Sequence, residues 1–123
     1  MALYLIAFND EWVPEQTPEG LREKGAAARA LIEEMTDVGV FVFSDGGLDA
    51  STVVCSVDPG SGTPVFTDGP FTETKEHLGG FAVVDVADDA EARYWAGRIA
   101  IAVNWPQEVH RFPHHIAPSA DAP

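Results

Sequence analysis

The chain has 123 residues, 46% of them hydrophobic, and carries 20 acidic against 7 basic side chains for a formal net charge of −13. That length fits one domain, and a compact fold of this size removes roughly two-thirds of its unfolded surface from water. The charge repels nucleic-acid phosphates and anionic lipid, so neither nucleic acid nor a membrane surface is an expected partner.

Leu3–Phe8 is the first strand: Leu3, Leu5 and Ala7 point one way, and Tyr4, Ile6 and Phe8 the other. Both faces are apolar, so both need cover. The N-terminus has no basic lead, which suits a strand rather than a signal peptide. Asn9–Gln16 is a polar loop. Thr17 then caps a helix with Pro18 at its first position and Glu19 at the positive end of its dipole. Ala28, Leu31, Ile32 and Met35 recur at helical spacing as a buried stripe, and Gly39 ends the helix.

Val40–Phe43 reads as a second strand, Ser44–Leu48 as a turn and Thr52–Val57 as a third strand with Val53, Cys55 and Val57 on one face. Asp58–Gly62 is a hairpin loop, and Pro64–Thr67 is its brief return strand. Gly80–Val86 is the next strand. Asp88 or Asp89 caps a second helix with Ala92, Trp95, Ala96 and Ile99 inward, Pro106 breaks the chain, and Glu108–Phe112 is the last strand. A single domain over 1–113 and a loose tail over 114–123 are expected. Cys55 is the lone thiol, which fits a reducing cytoplasm, and no apolar run approaches the roughly 20 residues of a bilayer span.

The order is β-α-β-β-α-β with an extra short strand in the middle. An antiparallel sheet with both helices on one face satisfies it, an α+β, ferredoxin-like plan. Tyr4, Ile6, Phe41 and Phe43 are expected on the face away from the helices. Apolar surface there predicts a two-fold homodimer packed sheet on sheet.

The run Thr67–Phe81, TDGPFTETKEHLGGF, resembles the signature of the DGPF family within the YCII-related group. Trp95–Ile99 is similar to that family's second helix, and Glu108-Val109 to its last strand. The resemblance implies ferredoxin-like subunits paired in a dimeric α/β barrel. It also implies two different roles. Some YCII-related proteins resemble lyases acting on small chlorinated ring compounds through a histidine–aspartate pair, whereas some DGPF proteins accompany sigma-factor-like partners. The histidine of that pair falls eleven residues before the glycine that ends the first helix. Counting back from Gly39 reaches Ala28, which cannot move a proton.

Asp68 is the sharpest candidate site residue, as a base or ligand anchor. Turn aspartates that accept backbone N–H groups are commoner, and the sequence leaves that reading open too. His77 is a candidate proton shuttle, and Lys75 a candidate anion anchor, against a solvated turn with weak local pairs. Asp45 and Glu73 are further candidate ligand carboxylates. Gly79-Gly80 lacks the context of a dinucleotide loop and reads instead as a close backbone approach at a strand entrance. No cofactor is expected. Nor is a metal expected, because His110, His114 and His115 have no matching ligand spacing. Cys55 reads as a small buried hydrophobe. Two functions compete: a homodimer binding a small organic ligand, with lyase- or isomerase-like chemistry, and a non-catalytic module serving a protein partner.

Overall fold

A computed structural model describes residues 2–114. The tail expected to be loose lies outside the described residues from position 115 onward. Six strands and two helices follow in the order β1 (Ala2–Asn9), α1 (Pro18–Asp37), β2 (Phe41–Asp45), β3 (Cys55–Asp58), β4 (Val65–Asp68), β5 (Leu78–Val86), α2 (Asp89–Val103) and β6 (Glu108–Arg111). Short 3-10 turns occupy Asp10–Trp12 and Ala50–Thr52. The latter shortens the expected third strand, because the Asp49 carboxylate draws in the Ser51 N–H at 2.8 Å and Thr52 caps back to the Asp49 N–H at 3.1 Å.

The main sheet has the order β2-β5-β1-β6, antiparallel throughout, which is the α+β ferredoxin-like arrangement. β3 and β4 pair only with each other, as a separate two-stranded sheet. The expected hairpin of the third strand and its return strand is therefore present, but it stands apart from the main sheet, between β2 and β5 in the chain.

Local chemistry sets the helix ends. The Thr17 hydroxyl accepts the Gly20 N–H at 3.0 Å, and Asp88 accepts the Glu91 N–H at 2.9 Å. At the C-terminus of α1 the Gly39 N–H reaches the Thr36 carbonyl, and the Val40 N–H reaches that of Met35. These two bonds make a Schellman motif, with Gly39 left-handed at φ 81°. The turn delivers Val40 into the core, so the chain enters β2 already packed.

That core contains Ile6, Leu31, Met35, Val40, Val84, Val86 and Trp95, with Tyr4 among them. Tyr4 is tolerated inside because its hydroxyl donates to Asp89 Oδ1 at 2.5 Å. The shared hydrogen bond raises the Tyr4 pKa and lowers that of Asp89. Tyr4 and Ile6 thus lie on the helix-covered face, opposite to the expectation. Phe41 packs there as well. Only Phe43 of the expected four faces away, because a bulge at Val42 shifts the register between Phe41↔Val84 and Phe43↔Val83. The uncovered face still carries apolar side chains, with the other parity: Leu3, Leu5, Val83 and the Phe43–Phe81 pair, whose ring centroids are 5.8 Å apart. The two helices are joined outside the core by Arg98, whose guanidinium forks onto Glu34 at 2.6 and 3.0 Å. That fork holds the Glu34 carboxyl below its usual range.

Gly39 has open space where a Cβ would sit, so its cost of substitution is purely conformational. Gly39→Ala is expected to lose about 1–2 kcal/mol in denaturant titration. Gly97, inside α2 and equally unobstructed, supplies the opposite sign: Gly97→Ala is expected to gain about 0.5–1 kcal/mol. Equal effects at the two sites would overturn the assignment of the turn.

Candidate functional site

A cavity of about 510 Å³ opens between α1, the C-terminal part of α2 and one end of the sheet. Its volume lies within the range of small-molecule sites. Gly25, Ala28, Arg29 and Ile32 of α1 recur at helical spacing along one wall. Ile99, Ala102 and Trp105 form a second wall. Ile6, Phe8, Phe41 and Ala82 form the floor, and Ser44–Gly47 form the lip beyond β2.

Phe8 is held by an unusual surface. Phe8 pairs with Gly80 and Asn9 with Leu78, so Gly79 is the extra residue of a bulge. Consecutive glycines then present bare backbone to the same ring. A Cβ at Gly79 would lie 2.6 Å from Phe8 Cε2, and one at Gly80 2.7 Å from Cε1. The expected close approach at this strand entrance is present. Phe8 in turn packs on Trp105, centroids 5.1 Å apart, and the Lys24 ammonium lies 5.1 Å above the Trp105 ring while donating to Gln16 Oε1 at 2.5 Å. Asn104, left-handed at φ 57°, turns the chain out of α2 so that Trp105 swings into this wall.

Of the sequence candidates, Asp45 lines the cavity. One of its oxygens accepts the Gly46 N–H at 2.8 Å, and its register opposite Phe81 puts it at the exposed edge of the lip. Asp68 does not line it. Asp68 ends β4 opposite Cys55 in the outer hairpin, exposed, and its carboxylate accepts no hydrogen bond among the described residues. The turn after it is built by its neighbours: Gly69 is left-handed at φ 76°, and its carbonyl accepts the Ser56 hydroxyl at 2.7 Å. Ser56, not Cys55, is the buried residue of β3; Cys55 is only half-buried. Glu73 and Lys75 lie in the exposed connector, with Glu73 accepting from Thr72 at 3.1 Å.

His77 is brought to Glu11, a residue the sequence did not single out. Glu11 accepts the His77 backbone N–H at 2.6 Å and contacts its Nδ1 at 2.7 Å, while the Asp10 N–H donates to the His77 carbonyl at 2.7 Å. The side-chain bond from His77, then the backbone one, holds the Glu11 carboxyl below its ordinary value. Asp49 is lowered too, mainly by the Ser51 hydroxyl, with a smaller contribution from His77. This is a clasp between the connector and the segment after β1. Among the described residues no histidine or cysteine lines the cavity, and no three His, Cys, Asp or Glu side chains are grouped to hold a metal. No helix among the described residues is long and apolar enough to cross a membrane.

Fold and cavity together define a ferredoxin-like α+β domain with a ligand-sized space between helices and sheet. The chain belongs to the YCII-related domain family, whose model matches residues 3–104. It is also similar to an uncharacterised protein of Rhizobium meliloti (strain 1021), 29% identical over 99 residues that cover 75% of this chain and 74% of that protein.

Two outcomes are expected. Gly80→Ala must displace Phe8 or the backbone, since the Asp45 carbonyl also lies 3.1 Å from the new Cβ; a loss of about 1–3 kcal/mol is expected, with a change in the tryptophan emission from Trp105. Unfolded Glu11 binds a proton more readily than folded Glu11, so its stabilising share is complete above its ordinary value of 4.5 and is lost as pH falls through the lower folded value. Acid titration of Glu11→Gln against the parent is expected to show a shallower loss of stability in that window. Comparing the two chains cancels the relief of repulsion among the 20 acidic groups.

Proposed function

We propose that the protein binds a small organic molecule in the helix–sheet cavity, as a homodimer of the DGPF type, and that Asp45 supplies proton transfer of a lyase- or isomerase-like kind. The observation that carries this reading is the cavity itself. Its walls are mostly apolar and about 510 Å³ lies between them, with Asp45 at the lip. Ala28 sits in the wall where the resembling lyases place their histidine, so acid–base work there falls to Asp45 rather than to a histidine–aspartate pair. Asp68, His77, Glu73 and Lys75 then serve the connector and its ends. The uncovered apolar sheet face supports the dimer.

The alternative, a non-catalytic module for a protein partner such as a sigma-factor-like one, draws on a different observation. The β3–β4 hairpin carries Phe66 at 66% exposure, with Val65 and Val57 beside it.

Ala28→Phe separates these readings, because it fills the cavity without touching the hairpin. Small aromatic fragments are expected to perturb NMR signals of cavity residues saturably in the parent, and to do so no longer in a folded Ala28→Phe chain. Fragment binding unchanged by that substitution would overturn the cavity reading. Sedimentation of the same samples is expected to give a dimer mass, and a stable monomer at micromolar concentration would overturn the dimer.

A further inference from the structure

Of the chain's 7 basic residues, Arg29 lines this cavity, and Lys24 lies over the ring of Trp105, one of its wall residues, in a protein with 20 acidic side chains. Their states differ. Lys24 is engaged with Gln16 and the Trp105 ring. Arg29, exposed at its end, lines the cavity and, like Arg22 and Arg93 but unlike Arg98 and Arg111, has no carboxylate within ion-pair distance among the described residues; it alone of the arginines lines this space.

The position of Arg29 is prepared by a residue that the helix itself disfavours. Gly25 lies in the interior of α1, one turn before Arg29, where glycine is less favourable than alanine. A Cβ there would stand 3.3 Å from Arg29 Nη1, a tight contact that the guanidinium would relieve by shifting a few tenths of an ångström. The missing side chain lets the guanidinium fold back along α1 at the cavity wall, where Gly25 also lies. Beyond it the walls are Ile32, Met35, Phe41, Ile99 and Ala102. A planar guanidinium beside an apolar chamber matches a carboxylate joined to a compact apolar body. The net charge does not prevent this, because solvent ions screen distant charges over about 8 Å at physiological salt.

We infer that the ligand is a small aromatic or branched-aliphatic monocarboxylate, its anion paired with Arg29 and its body in the apolar chamber. This rests on the cavity being the ligand site. Gly25 is a positioning residue for the guanidinium.

The test compares phenylacetate, phenylacetamide and 2-phenylethylamine by calorimetric titration of the full chain at physiological salt. Phenylacetate is expected to bind about tenfold or more tightly than the amide, as a charge-assisted pair requires. Arg29→Gln is expected to erase that preference while leaving the amide unchanged. Gly25→Ala is expected to weaken phenylacetate and yet raise the thermal stability of the chain, a combination that a merely structural role does not produce. Amide binding as tight as the acid, or an acid preference that survives Arg29→Gln, would overturn the inference while leaving the cavity reading intact. Tightest binding by the amine would do the same, assigning recognition to Asp45. If none of the three binds the parent or is displaced in Ala28→Phe, both fail together.

Discussion

The arrangement depends on one packing constraint, the Phe8 ring lying flat on two consecutive residues that have no side chains. β1 and β5 are the central strands, and their pairing slips by one residue where Phe8 meets Gly79 and Gly80. The bulge turns both glycines toward the same ring, and any Cβ would collide with it. Several neighbouring features follow from the ring's position. Trp105 has a partner to close the wall against. The Gly79 carbonyl accepts the Leu48 N–H at 3.0 Å, which ties the loop after β2 to the same strand entrance. The lip bearing Asp45 is thereby anchored to the floor bearing Phe8, and the cavity has a fixed end.

The long connector from Asp68 to His77 is organised at its ends rather than along its length. At the start, left-handed Gly69 and the Ser56 hydroxyl set the departure from the hairpin. At the finish, Glu11 grips both the backbone and the ring of His77 just before β5 begins. Between them Thr72–Glu76 is exposed, with one local turn where the Thr74 N–H meets the Phe71 carbonyl. Its charges face water, where single pairs contribute little. The cavity draws its polar side chains from α1, the end of β2 and Gln107 rather than from this connector.

Much of the architecture was legible because it is written in local chemistry. Thr17-Pro18, Asp88 and Gly39 mark helix ends through bonds to their near neighbours, and the stripes on α1 and α2 follow helical spacing. The parity of β1 was not legible: alternating apolar residues on both faces give the same pattern whichever face meets the helices. The bulge at Val42 adds a shift that periodicity cannot register. The hairpin itself was legible, since its loop Asp58–Gly62 and return strand are local signals; that β3 and β4 stand apart from the main sheet was not, because which strands pair beyond a hairpin is a long-range fact. The site was the least legible part. Glu11 and His77 are 66 positions apart. Arg29 was not singled out, because a single charge on an exposed stretch of helix carries no signal of its own.

The residues around the cavity bound the chemistry that the chain's own side chains can perform. A hydroxyl such as Ser44 needs an adjacent base to become a nucleophile, and no described histidine, cysteine or lysine lines the space. Asp45 is the carboxylate there. A reaction run by one carboxylate has a single group to take the proton and to give it back. That suits steps in which a proton leaves one atom of the ligand and returns to another, or leaves with a departing group, as in isomerisation or elimination. It does not suit hydrolysis by a separate acid and base acting at once. The position of Arg29 fits the same class of step. In the proposed reading, a cation holding one end of the ligand would restrict which hydrogen can reach Asp45, so that positioning and proton transfer would belong to one geometry.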